Sequence, residues 1–456
     1  MCGIVACSGF FDSLSIVKLM LIQIQHRGQE GAGIAWLSDD GIKIVKNFGL
    51  VTSAIPDIDA KARLAIGHVR YSTTGTYMKN IEELHPFYIK DGDLEIALAF
   101  NGTIVNYREL RKELKNIYNF NTETDTEVLI KQIHRELKNC NGDVVEGVRR
   151  ALMKVSGSYS IALMINDKLI IARDPYGFKP LSYTFIEDKF IACSESCAIS
   201  TLISNKFREV EPGQIILVHD NDFEIHNIGI DVDRRAYCAF EYVYFARPDT
   251  VFNGVSIYEA RKRMGEFLAS LEDRDIDVVV PIPETGRIAS YGYSQKLGKP
   301  IEDALVKVRY VGRSFIMPKE FRSLIAKFGI VKSVIENRSI ALVDDSLVRG
   351  TTMRNLVNTL KRSGAKHVHV RIASPPIRYP CFMGIDFPSR EELIAHGRTI
   401  QEVCRLICAD SLKYICTKML ERAIGKREDE LCMACFTGHY PINVDIVEKE
   451  REFLRR

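Results

Sequence analysis

The stretch IALVDDSLVRGTT, Ile340 to Thr352, reads as a buried strand that runs into two acids and then into a loop of small residues opening a helix. The apolar run Ser339–Val343 has no alternation of polar and apolar residues, as expected of a parallel strand covered on both faces. Asp344 and Asp345 close it, a helix is predicted over Thr352–Ser363, Gly364 is a stop, and a second strand is predicted over His367–Ala373. Strand, helix and strand in this order are a βαβ unit, and open α/β sheets bind ligands at the C-terminal ends of such strands. Upstream, Asp277–Pro281 repeats the pattern, followed by a glycine-containing turn and a helix over Arg287–Lys296. Downstream, Ser389–Ile424 reads as helical, and the chain around Cys432 and Cys435 as irregular.

The first half has a different grammar. Short strands are predicted over Gly3–Phe10, Gly33–Leu37, Ile42–Lys46, Leu64–Tyr71, Leu94–Phe100, Tyr159–Ile165, Leu169–Arg173, Leu181–Phe185, Lys189–Cys193 and Gln214–Val218. Helical periodicity marks Leu14–Gln25, Tyr107–Lys115, Thr126–Leu137 and Val144–Val155, with capping chemistry in Thr124-Asp125-Thr126-Glu127. Two apolar-faced sheets with helices outside make a four-layer α/β/β/α sandwich, which strand counting alone does not separate from other α+β folds. The divisions expected are 2–231, a connection over 232–254, a parallel-sheet domain over 255–400 and a helical C-terminal segment over 401–456.

A chain of 456 residues with 46% hydrophobic and 27% charged residues is that of a globular protein of more than one domain. The net charge of +3 is dispersed, which gives nucleic-acid binding no support. No apolar run is long enough for a membrane span, and no basic segment leads an apolar one at the N-terminus, so a cytoplasmic location is expected. Twelve cysteines are many for a cytoplasmic protein, where stable disulfides are rare. Cys432-Met-Ala-Cys435 is a CxxC that spacing alone leaves as a metal half-site, a redox pair or chance, and Cys7, Cys140, Cys193, Cys197, Cys404, Cys408 and Cys416 read as buried thiols.

The nucleophile is Cys2. Removal of Met1 would place a thiol and a free α-amine on one residue, and an α-amine titrating near pH ~8 can take the thiol proton. Around it stand HRGQEGAGIAW (26–36), GHVRYSTTG (67–75), HPF (85–87), FNGTIVNYREL (100–110) and TDTEVL (124–129). Together these segments resemble the glutaminase domain of class II amidotransferases. With the Ile340–Thr352 motif, which is similar to the phosphoribosylpyrophosphate motif of type I phosphoribosyltransferases, the resemblance over almost the full length is to the amidophosphoribosyltransferase family. It implies an N-terminal-nucleophile sandwich followed by a phosphoribosyltransferase sheet. It also implies glutamine-dependent synthesis of 5-phosphoribosylamine, a pentosyl transfer that is the first committed step of purine synthesis.

The resemblance assigns roles residue by residue. Asn101 and Gly102 would form the oxyanion hole, although Asn-Gly alone reads as a turn. Arg70 would hold the glutamine carboxylate and Asp125 its ammonium, with a helix cap as the plain alternative for Asp125. Arg27 and Gly28 match a segment beside the nucleophile, while His26 and His85 read as structural. Asp344 and Asp345 would accept from the ribose hydroxyls. Ser346, Arg349, Gly350, Thr351 and Thr352 would surround the 5′-phosphate. Thr285, in PIPETG, would join the two acids at one Mg²⁺ per subunit. Lys307, Arg309 and Arg313 lie in KVRYVGRSFIMP, which resembles a loop that closes over the anionic substrate. Val308 and Lys327-Phe328-Gly329 depart from the family's usual Asn and Lys-Leu-Asn. Cys238, Cys381, Cys432 and Cys435 match the ligands of one [4Fe–4S] cluster per subunit, although four thiolates suit zinc equally by composition. Purine nucleotides as feedback inhibitors and a homotetramer or homodimer are implied as well. The rivals are another class II amidotransferase, which the phosphoribosylpyrophosphate motif opposes, and a non-catalytic phosphoribosylpyrophosphate or nucleotide sensor, which the complete glutaminase half opposes.

Overall fold

The computed structural model describes residues 2–71, 80–219, 222–307, 328–387 and 389–444. Two antiparallel sheets fill the first half. Its strands are β1 (Gly3–Ser8), β2 (Gly31–Ser38), β3 (Gly41–Phe48), β4 (Leu64–Arg70), β5 (Phe87–Asp91), β6 (Leu94–Ile104), β7 (Gly157–Ile165), β8 (Lys168–Arg173), β9 (Ser182–Ile186), β10 (Lys189–Cys193), β11 (Arg208–Glu209), β12 (Gln214–His219) and β13 (Asp222–Asn227). One sheet has the order β11-β9-β10-β1-β4-β2-β3, the other β13-β12-β8-β7-β6-β5. Strand alternation explains the layering. Ile4, Ala6 and Ile66 of the first sheet share a buried core with Ala97, Ala99, Ala162 and Ile171 of the second. The opposite residues of β1, Val5 and Cys7, pack on Val17, Met20 and Leu21 of the helix Ser13–Gln23. Leu98, Ile161 and Ile170 pack outward on Val128, Ile133 and Val148 of the helices Asp125–Asn139 and Val144–Met153. This is the α/β/β/α sandwich, and the predicted strands and helices of this half fall within it.

In the second half Val278–Pro281, Ser339–Asp344, His367–Ile372 and Ser411–Tyr414 make a parallel sheet in that order. The helix Arg287–Leu297 follows the first strand and Thr351–Arg362 the second. Ser411–Tyr414 corrects the helical reading of Ser389–Ile424. Its pairing with His367–Ile372 outweighs local propensity, and only Ile400–Leu406 and Thr417–Ile424 are α-helical there. The sheet therefore runs past residue 400, and the expected separate C-terminal segment begins inside it. The other expected cut, at 254/255, falls within a hairpin that pairs Val251–Phe252 with Val255–Ser256. Cys416 is exposed rather than buried, because that strand breaks the helical spacing of Cys404, Cys408 and Cys416. The two halves meet through a connection carrying the strand Tyr237–Cys238, paired with Leu431–Cys432, and a π-helical turn, Glu241–Phe245. No helix among the described residues is long and apolar enough to cross a membrane.

Candidate active sites

Cys2 stands at the head of β1, a strand hydrogen-bonded to β10 on one side and β4 on the other. Its N–H donates to Asn101 Oδ1 at 3.1 Å, and its Sγ lies 3.5 Å from both the N and the O of Tyr71. Asn101 is fully buried, and its Nδ2 has no partner among the described residues. One amide group thus orients the nitrogen of Cys2 and keeps an N–H donor uncommitted beside it. Asn101 and Gly102 do not form a turn. They lie within β6, opposite Ser160 and Tyr159 of β7. A Cβ on Gly102 would strike the Ser158 carbonyl, so glycine is required there by the neighbouring strand.

Arg27 is wholly buried and donates from Nε to the Cys2 carbonyl at 2.9 Å. Its other nitrogens meet Glu195 at 2.5 Å and Glu241 at 3.1 and 2.8 Å. Burial opposes its charge, but Glu241 and Glu195 raise its pKa above the ordinary arginine value. Burial would lift the Glu195 carboxyl, yet His26 and Arg27 hold it well below the usual range. Glu195 also accepts from Arg247 N and Thr250 Oγ1, both in the connection. His26 is a partner of Glu195 at 2.8 Å rather than a base. His85 stacks on His68 with ring centroids 4.0 Å apart, and burial drives both imidazoles to the neutral form.

Arg70 ends β4 and donates to Glu83 at 3.0 Å. The helix Asp125–Asn139 is capped by Thr124, not by Asp125. The Asp125 carboxylate instead accepts from the Ile104 N–H at 3.0 Å, which ties the helix start to the strand carrying Asn101.

The second site sits at the C-terminal end of Ser339–Asp344. Asp345 accepts from Ser346 Oγ at 2.6 Å and gives its own N–H to Asp344 Oδ1 at 2.9 Å. Burial and the neighbouring Asp345 push Asp344 well above the carboxylate range, and burial raises Asp345 against Ser346 and Thr285, which brings Thr285 into this group. Gly350 takes a left-handed φ of 77° and turns the chain into the helix Thr351–Arg362, whose first residues Thr351 and Thr352 are exposed. Arg349 points away to Glu392 at 2.9 Å. Lys307 is exposed at the end of a short strand, while Val308, Arg309, Arg313 and Lys327 lie outside the described residues.

Cys238 is in register with Cys432, and Cys435 follows one turn later. Burial pushes the Cys238 thiol up to about 11, eased by Lys179 and reinforced by Glu241 and Cys381. Burial likewise raises Cys435, and Cys381, Cys238 and Cys432 raise it further. The four thiols thus lie near enough to influence one another's charge, although among the described residues no His, Cys, Asp or Glu set of three or more is arranged to hold a metal ion. Lys179 is fully buried beside them, and Gly384 separates its Nζ from the Gly102 backbone. A buried cation against four thiols fits a thiolate centre, whose negative charge needs an internal counter-ion.

Glu195 and Glu241 escape sequence reading. Glu241 leaves a trace as a lone acid within the apolar run CAFEYVYF, which signals a buried, paired charge.

A thiol-centred glutamine amidotransferase sandwich continuous with a phosphoribosyltransferase sheet is the class that this fold and these sites define. A glutamine amidotransferase domain model matches residues 68–201. Amidophosphoribosyltransferase of Methanocaldococcus jannaschii is 42% identical over 98% of both chains, that of Pyrococcus horikoshii 44% over 92% of both, and that of Bacillus subtilis 36% over 97% of this chain and 94% of its own. The glutamine phosphoribosylpyrophosphate amidotransferase from B. subtilis complexed with ADP and GMP superposes with a TM-score of 0.90, covering 97% of this chain and 98% of that one. The chain belongs to the amidophosphoribosyltransferase family, enzymes of the first step of purine biosynthesis.

Proposed function

We propose that Cys2, freed of Met1, attacks the glutamine amide with its own α-amine as proton acceptor. Asn101 Nδ2 and the Gly102 N–H would hold the oxyanion, and Arg70 and Asp125 the carboxylate and ammonium of the substrate. Thioester hydrolysis gives glutamate, and the released ammonia displaces pyrophosphate from C1 of phosphoribosylpyrophosphate in the second site. There Asp344 and Asp345 take the ribose hydroxyls, and the loop Ser346–Gly350 with Thr351 and Thr352 takes the 5′-phosphate. Mg²⁺ held near Thr285, Asp344 and Asp345 would neutralise pyrophosphate charge. The raised pKa values of the two acids accord with a site completed by a cation. Lys307 and Arg309 would close over the anionic substrate. Cys238, Cys381, Cys432 and Cys435 would hold a structural [4Fe–4S] cluster, with Lys179 as its buried counter-ion. Purine nucleotides as inhibitors fit the ADP and GMP named for the B. subtilis enzyme, and a homo-oligomer in the cytoplasm completes the reading.

The observation that carries this is the contact of Cys2 N with Asn101 Oδ1 at 3.1 Å, which brings to the same residue as the thiol an amide whose Nδ2 has no partner among the described residues. Intact-mass measurement should show Met1 absent. Protein, glutamine, phosphoribosylpyrophosphate and Mg²⁺ should together release glutamate and pyrophosphate. Retention of Met1 in active protein would rule out the α-amine as the base.

A further inference from the structure

Two buried imidazoles, His68 and His85, stack inside the first half with ring centroids 4.0 Å apart and planes within 14°. Their contacts fall beside the residues that surround Cys2. His68 sits on β4, two residues before Arg70. Its Nε2 is 3.0 Å from the Phe100 carbonyl, in the peptide that leads into Asn101. His85 Nε2 is 3.3 Å from Thr126 Oγ1, and that hydroxyl donates to Asp125 Oδ1 at 3.5 Å. His85 also follows by two residues Glu83, which accepts from Arg70 at 3.0 Å. Lys46 holds the backbone on either side of His85, donating to the Leu84 carbonyl at 2.7 Å and the Pro86 carbonyl at 3.5 Å.

The partners fix the protons. A carbonyl only accepts, so His68 carries its proton on Nε2. A carboxylate accepts too, so the Thr126 hydroxyl gives its proton to Asp125 and receives one from His85 Nε2. Neither Nδ1 finds a protein partner among the described residues, so each ring holds its surroundings by Nε2. Burying an imidazole costs more than burying an apolar ring of like size. What the polar rings add is direction. Their Nε2 bonds go to the segments that carry Asn101 and Asp125, and buried networks of this kind specify one arrangement of a core.

We propose that His68 and His85 are positioning residues for the glutaminase reaction: His85, through Thr126, sets Asp125 at the α-ammonium of glutamine, and His68, through the Phe100 peptide, sets Asn101 at the oxyanion. Both arms rest on the reading of Cys2, Asn101 and Asp125 given above. They act at different stages. Asp125 meets a group that does not change as the amide is cleaved, so the His85 arm contributes equally to substrate and transition state and shows in KM. Asn101 meets charge that forms only in the transition state, so the His68 arm shows in kcat.

The test follows hydrolysis of glutamine and of glutaramate, which lacks only the α-amino group, by full-length enzyme. Thr126→Val keeps the side-chain shape and removes the hydroxyl between His85 and Asp125. It should raise KM for glutamine about tenfold, as one lost hydrogen bond to a charged group does, and cut the preference for glutamine over glutaramate by about the same factor. Its kcat should stay within about threefold of the wild type, as loss of uniform binding requires. His85→Asn, whose amide cannot reach Thr126, should behave alike, and His85→Gln, whose amide nitrogen takes the place of Nε2, should restore most of both. His68→Asn should instead lower kcat about tenfold, with KM and the preference near wild type, and His68→Gln should recover it. Pyrophosphate release with ammonium salts should keep its wild-type rate in every variant. Wild-type KM and preference in Thr126→Val, or Gln no better than Asn at either position, would overturn the proposal. Parallel losses of glutaminase and ammonium-dependent activity would overturn it too, since they mark plain damage to the fold. If the Asn variants do not fold, Thr126→Val decides, because it leaves both rings in place. A wild type that does not prefer glutamine to glutaramate would overturn the underlying placement of Asp125, and would show this before any substitution is made.

Discussion

The two sites of this chain are built on opposite electrostatic plans. Around Cys2 the described charges Arg27, Glu195 and Arg70 are answered from within the protein: Arg27 by Glu195 and Glu241, Glu195 by His26, and Arg70 by Glu83. At the second site half-buried Asp344 and buried Asp345 stand together, both raised, at the mouth of an exposed helix N-terminus. The described part of the first site carries its charges already paired, with the Asn101 amide N–H left for an oxyanion. The second holds a conflict that a cation, as proposed above, would resolve. Preorganised dipoles serve an acyl transfer, where charge develops on one oxygen, whereas phosphoribosyl transfer brings its own charge with the substrate.

The largest effects should separate the sites outright. Cys2→Ala is predicted to abolish glutamine-dependent synthesis and spare synthesis from ammonium salts. Asp345→Asn is predicted to do the reverse, removing pyrophosphate release while basal glutamate release persists. Loss of both activities in either variant would show that the two plans are not independent. Next in size, Asn101→Ala removes one donor from the first site and should lower glutamine turnover by about 10²–10³. An effect below tenfold would move the oxyanion hole elsewhere.

The cysteine set sharpens the same contrast. Protein purified without oxygen should carry about four irons per chain, as one cubane requires. Lys179→Met should shift the reduction potential of that centre downward, because a buried cation is lost. Stoichiometric zinc without iron would refute the cluster. The smallest predicted effect tests the frame rather than a site. Burial would raise Glu272, but Arg371, at 2.5 and 2.7 Å, and Tyr293 hold its carboxyl at about 2. A depressed carboxyl contributes stability that is complete above its unfolded pKa of ~4.5 and is lost as pH falls toward 2. Thermal melting of Glu272→Gln should therefore depend less on pH in that window than melting of the wild type. Parallel curves would mean that the pair adds nothing.

What could be read in advance follows from range. The candidates Cys2, Asp344 and Asp345 can be picked out because their motifs are contiguous in sequence, and the strands of the first half because alternation is local. Asn101-Gly102 looks like a turn because nothing nearby reveals that β7 presses on it, with Ser158 opposite Thr103 and Tyr159 opposite Gly102. The strand Ser411–Tyr414 exists only through its pairing with His367–Ile372. The partners of Arg27 lie 168 and 214 residues away, beyond any periodicity. Capping shows the same limit on a small scale: Thr124 does the capping and Asp125 reaches across to Ile104, where its neighbours in sequence suggest it would cap.

The central claim is that the ammonia made at Cys2 is the ammonia used at Asp345. It is tested most directly by supplying amide-¹⁵N glutamine with phosphoribosylpyrophosphate, Mg²⁺ and excess unlabelled ammonium at a pH where little ammonia is free, and following glutamate, pyrophosphate and the isotope in phosphoribosylamine together. Glutamate and pyrophosphate are predicted to appear in equal amounts, with the product carrying ¹⁵N. Glutamate released without pyrophosphate, or product carrying unlabelled nitrogen from the bulk, would contradict it.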